Sequence, residues 1–123
     1  MSETNEPKFD WSQAASLLGD DPTQVAEDMA EIVRELVESA DVQFKELKAK
    51  NIHTEKKEVS SLAHQLRGCL LNFGFDEVGA MLLHVEKGDY PESDYPGMID
   101  KAQVAFVASK KMLAARYPTL GIS

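Results

Sequence analysis

The chain has 123 residues, 43% of them hydrophobic and 28% charged, with a formal net charge of −8. That length suits a single domain with one real core, and the composition is that of a soluble globular chain. The acidic balance argues against non-specific binding to nucleic acid or to an anionic membrane, no apolar run approaches the roughly 20 residues of a membrane span, and the one cysteine excludes an intramolecular disulfide.

The opening residues MSETNEPKFD are polar and acidic, without the basic start or apolar core of a signal peptide. The expectation is a cytoplasmic protein with a flexible N-terminal tail over residues 1–8, one domain over residues 9–118 and a C-terminal tail over residues 119–123. Asp10 can cap a short helix that carries Trp11, docks through Leu17 and Leu18, and ends at Gly19. Phe9 and Trp11 then form a lid over one end of the core. Asp20-Asp21-Pro22 has the chemistry of a helix start, an acidic cap with proline at the first helical position. Val25, Met29, Ile32, Val33, Leu36, Ala40, Phe44 and Leu47 recur at helical spacing from there to about Lys50, and Asn51 can close the helix. Glu27, Asp28, Glu31, Glu35 and Glu38 lie on its other face, read as solvated. Thr54 can cap a third helix ending near Gly74. Asp76 can cap a shorter fourth, with Val78, Leu82 and Val85 inward and Gly88 at its end. The repeated Asp-Tyr-Pro at Asp89 and Asp94 reads as two turns. Pro96 opens a last helix with Ile99, Ala102, Phe106 and Leu113 as its seam. No segment alternates as a strand does.

The third helix carries the chemistry. At about 100° per residue, Val59, Leu62, Leu66, Cys69, Leu70 and Phe73 share one side, a stripe suited to a core. Cys69 on that stripe reads as a buried, inert thiol. Ser60, His64, Arg67, Gly68 and Leu71 share the other. A glycine in mid-helix costs roughly 1 kcal/mol relative to alanine. Core packing does not call for one on the outer face, whereas a surface that must admit another body close to His64 does.

His64-x-Leu66-Arg67-Gly68-x-x-x-x-Phe73-Gly74 resembles the signature of histidine-containing phosphotransfer (HPt) domains. That signature is His-x-Leu-Lys-Gly, four variable residues, a large apolar residue and Gly. Val78, Leu82, Val85 and Glu86 continue it, where the family has Leu, an apolar or Cys position, an apolar residue and Glu. There are two departures. Arg67 replaces the commoner Lys, keeping the charge but changing its shape and reach. Phe75 replaces the commoner Ala after the glycine, at the helix end.

The resemblance implies an all-α fold, an antiparallel four-helix bundle with a short N-terminal cap helix. It implies a phosphocarrier of a two-component phosphorelay. His64 would accept a phosphoryl group from a receiver-domain aspartyl phosphate and pass it to a response-regulator aspartate. The partners would be the receiver domains of a hybrid sensor histidine kinase and of a response regulator, met by a monomer with no nucleic-acid or membrane partner. HPt domains bind no metal or nucleotide of their own, so Mg²⁺ and the accepting carboxylate would come from the receiver. The chain has no kinase motif and would be a transfer intermediate rather than a free-standing catalyst.

The residue types suit that chemistry. An imidazole is the side chain best able to act as an uncharged nitrogen nucleophile near neutral pH. Arg67, one turn on, can hydrogen-bond phosphoryl oxygens, and Gly68 gives the receiver access. Lys57, Ser60, Ser61 and Leu71 are the expected partner-docking residues, Lys57 adding a weaker positive field. Leu71→Asp is expected to weaken transfer and leave the fold intact. Glu86 is expected to make a structural hydrogen bond or ion pair. His53 and His84 have no partner at metal-ligand spacing and read as ordinary surface histidines. Three other readings compete: a non-catalytic module that binds and regulates a receiver or kinase, the substrate domain of a chemotaxis-type kinase, and a helical bundle of unrelated function.

Overall fold

Apolar residues at helical spacing need a common interior, and here they obtain it from helices alone. The computed structural model describes residues 6–122. Among these, the regular elements are all helical: α1 (Trp11–Leu18), α2 (Glu27–Ala49), α3 (Lys56–Leu71), α4 (Asp76–Lys87) and α5 (Tyr95–Arg116). Single 3-10 turns add Glu92–Asp94 and Pro118–Leu120. Helix α2 packs against α3 and α5, and α4 packs against the same two helices from the other side. Val33, Val37, Ala40, Phe44 and Leu47 of α2 meet Val59, Ala63, Leu66 and Leu70 of α3 in one core with Val78, Leu82 and Val85 of α4 and Ile99, Ala102, Phe106 and Leu113 of α5. No helix among the described residues is long and apolar enough to cross a membrane.

An aromatic column runs through one end. The Phe44 and Phe106 rings lie 5.6 Å apart, Phe106 and Phe75 5.6 Å, Phe75 and Phe9 5.1 Å, and Phe9 and Trp11 4.4 Å. These spacings fall in the range of favourable offset and edge contacts. The lid expected of Phe9 and Trp11 is the outer end of this column, and the Arg116 guanidinium lies 4.3 Å from the Trp11 ring centroid. Asp10 caps α1 as expected, its Oδ1 accepting from the Gln13 amide at 3.0 Å. Gly19 ends α1 at φ +92°.

Several boundaries fall elsewhere than the sequence signals put them. Helix α2 begins at Glu27, not at Asp21-Pro22. Asp21 Oδ1 accepts from the Thr23 amide at 2.9 Å and the Thr23 hydroxyl at 2.7 Å. The side chain thereby closes a turn in place of a helix, an alternative Asp supports equally well. Those two bonds also hold the Asp21 carboxyl below its ordinary range. Thr54 does not cap α3. It lies in a turn after Asn51, and Glu55 turns back to accept from the Asn51 amide at 2.8 Å. The second Asp-Tyr-Pro is the start of α5, with Asp94 at the cap position.

The tails are shorter than expected. Residues 1–5 lie outside the described residues. The Glu77 amide donates to the Lys8 carbonyl at 3.0 Å, so the domain includes Lys8. At the other end Leu120 is fully buried and its carbonyl accepts from Arg34 Nη1 at 2.9 Å. The domain therefore runs past residue 118, because Leu120 completes the core against α2.

Candidate functional site

The buried line of α3 is Val59, Ala63, Leu66 and Leu70. It lies to one side of the expected stripe. Leu62 and Phe73 are half-buried at the rim and Cys69 is exposed, so the expected buried thiol is instead a surface one. At about 100° per residue, this puts Gly68 farthest from the core and tilts His64 toward α4. The outer face of α3 is where the signature residues gather.

His64 stands in the middle of α3 with its side chain 64% exposed. Its Nδ1 lies 2.9 Å from Oε2 of Glu86, which projects from α4. A carboxylate can only accept, so this contact requires a proton on Nδ1. Nε2 is left as the unprotonated nitrogen of the neutral ring, with no hydrogen-bond partner among the described residues. Arg67, one turn on, sends Nε to Glu86 Oε1 at 3.1 Å and Nη2 to the same oxygen at 3.0 Å. Its Nη2 also lies 3.4 Å from His64 Nδ1. With Nδ1 protonated that last contact pairs two donors, so the carboxylate is the hub that holds both side chains.

Three influences act on the Glu86 carboxyl. Partial burial pushes its pKa up, and the hydrogen bonds from His64 and Arg67, reinforced by the Arg67 charge and by that of His64 when the ring is protonated, push it down. The downward effects prevail and keep the group ionised below the usual carboxylate range. The Ser60 hydroxyl donates to the Glu86 backbone carbonyl at 2.8 Å and pins the same residue from the α3 side.

The two glycines of the signature have opposite surroundings. A Cβ built on Gly68 meets nothing within 4 Å. A Cβ on Gly74 would lie 2.6 Å from the Asp10 carbonyl oxygen, at a φ of +95° that disfavours any side chain. The Gly74 carbonyl accepts from the Asp10 amide at 2.8 Å. Gly74 therefore joins the N-terminal segment to the α3–α4 corner, while Gly68 leaves a gap in the surface beside His64.

The expected docking residues are divided. Lys57 is exposed at the start of α3. Ser61 is exposed but borders the groove shared with Glu46 of α2 and with Lys50 just past its end, a groove that Glu86 does not line. Ser60 is committed to Glu86, as above. Leu71 is half-buried, because its methyl groups occupy the notch over Gly79 of α4. A Cβ on Gly79 would lie 2.5 Å from Leu71 Cδ2, so Leu71 is part of the α3–α4 contact as well as of the surface.

Two structural contributors escaped the sequence reading. Phe75 is fully buried in the aromatic column, not a neutral change at a helix end. Gly79 lets α3 and α4 approach, and its signal was a glycine on the same turn as the inward Val78 and Leu82. His53 lies 2.5 Å from Glu92 across two loops, and His84 stands edge-on to Tyr90, with ring centroids 5.9 Å apart. Among the described residues no cluster of three or more His, Cys, Asp or Glu is placed to hold a metal ion.

Comparisons with protein-family models, with curated proteins and with solved structures return no match.

Proposed function

We propose that this chain is a phosphocarrier of the HPt kind, with α2–α5 as an antiparallel four-helix bundle and α1 as its cap. His64 Nε2 attacks the phosphorus of an aspartyl phosphate on a receiver domain. The N–P bond forms as the bond to the aspartyl oxygen breaks, and the carboxylate leaves with the electron pair. The imidazole becomes cationic, and Glu86, already accepting the Nδ1 proton, stabilises that charge. Reversal onto a second receiver's aspartate returns the histidine to its starting state. The metal and the aspartate belong to the partner. The reading implies a cytoplasmic monomer with separate receiver partners.

The observation that carries the reading is an exposed mid-helix imidazole whose tautomer is set by a carboxylate, next to a glycine with open space above it. A rigid element holds the ring, as in-line transfer demands. Incubation with a phosphorylated receiver tests it. Label must appear on the wild-type chain and be absent from His64→Gln. One observation favours the non-catalytic alternative: Arg67 is tied to Glu86 rather than free beside Nε2. On that alternative His64→Gln keeps its binding and its biological effect.

A further inference from the structure

Three lysines stand together at one end of the α3–α4 seam. Lys56 and Lys57 occupy the first turn of α3 and Lys87 is the last residue of α4. They border a groove of about 270 Å³, with buried Val85 and half-buried Tyr90 beneath and Glu86 at one end. None of the three has a carboxylate within 4.0 Å among the described residues, a state they share with most of the chain's other lysines. The chain carries a net charge of −8, and Lys56 and Lys57 in the first turn of α3 oppose that helix's macrodipole, whereas Lys87 in the last turn of α4 suits its own. Glu86, whose carboxylate meets His64, is also one of the groove's lining residues, so the cationic patch and the nucleophile border the same α3–α4 seam.

We infer that this groove receives an acidic ridge of the receiver domain and is the electrostatic arm of the docking surface. The inference rests on the phosphocarrier reading and adds the chemistry of the partner to it. A short run of carboxylates meets the three lysines. A long polyanion such as a nucleic acid would also meet the rest of a chain of net charge −8 and be repelled. Attraction of this kind acts mainly on encounter and orientation.

The experiment uses the full chain and whichever phosphorylated receiver labels His64 in the assay above. Its kcat/KM for transfer is measured from about 10 mM to about 150 mM salt, over which the Debye length falls from about 30 Å to about 8 Å. The wild-type value is expected to fall about tenfold across that range, within the span of steered association. The triple variant Lys56→Gln, Lys57→Gln, Lys87→Gln is expected to start about tenfold lower at low salt and to lose most of the salt dependence, through KM rather than kcat. A triple variant matching the wild type in both rate and salt dependence overturns the inference and leaves the phosphocarrier reading standing. Failure of every receiver to label the wild-type chain overturns both.

Discussion

Replacing Gly68 by alanine separates a demand of the fold from a demand of a partner. Gly68 lies in the interior of α3 at ordinary helical geometry, and the added methyl meets nothing within 4 Å. The substitution removes the glycine's extra unfolded-state freedom at no cost in contacts. It should stabilise the chain by about 0.5–1 kcal/mol. For a domain of this size that is a rise in Tm of about 2–5 °C. The same methyl stands where a docked receiver must come close, and crowding a tight contact by one carbon costs about 1–3 kcal/mol. Transfer to His64 should lose about five- to 150-fold in kcat/KM. Thermal unfolding and a timed transfer assay on one preparation read both effects. An alanine variant that melts lower than wild type, or one that transfers at the wild-type rate, refutes the reasoning.

Gly74→Ala should behave oppositely. The positive φ and the 2.6 Å approach to the Asp10 carbonyl oxygen cost more than about 1 kcal/mol, read as a lower Tm. Phe75→Ala should destabilise by about 3–5 kcal/mol in denaturant titration, because it empties the middle of the aromatic column. Glu86 has a folded pKa below its usual 4.5, so its contribution to stability is complete above pH 4.5 and is lost as pH falls through the lower folded value. Glu86→Gln should therefore flatten the acid limb of the stability curve below pH 4.5, and it should slow transfer at neutral pH. An unchanged acid limb would contradict the assignment of that carboxylate. The Ser109 hydroxyl is buried with no hydrogen-bond partner among the described residues, so Ser109→Ala should leave stability unchanged or raise it by about 1 kcal/mol in the same titration.

The helical periods of α4 and α5 were legible because their apolar residues are large and regularly spaced, whereas on α2 the expected stripe included Ile32, which is exposed, and left out Val37, which is buried. Val78, Leu82 and Val85 all proved buried, as did Ile99, Ala102, Phe106 and Leu113. On α3 the reading drifted, since Ala63 is small and carries little weight in an apolar count. Yet Ala63 lies on the buried line and Cys69 on the surface. Helix starts were harder. Asp, Thr and Pro close turns with the same atoms that cap helices, and only tertiary contacts decide between the two, as at Asp21 and Thr54. At the site, the grouping of His64 with Arg67 and Gly68 follows from spacing alone. The hub role of Glu86 depends on how α3 and α4 meet, through Leu71 and Gly79, which spacing within one helix does not encode. For that reason the expected clean surface effect of Leu71→Asp is revised. Removing the isobutyl group from the notch over Gly79 should lower stability as well as transfer.

The most direct measurement is the fate of a labelled phosphoryl group presented on a receiver aspartate. The account predicts acid-labile label on the wild-type chain, mapped to Nε2 of His64, and none on His64→Gln. Label that persists in His64→Gln, or a wild-type chain that no receiver labels, would contradict it.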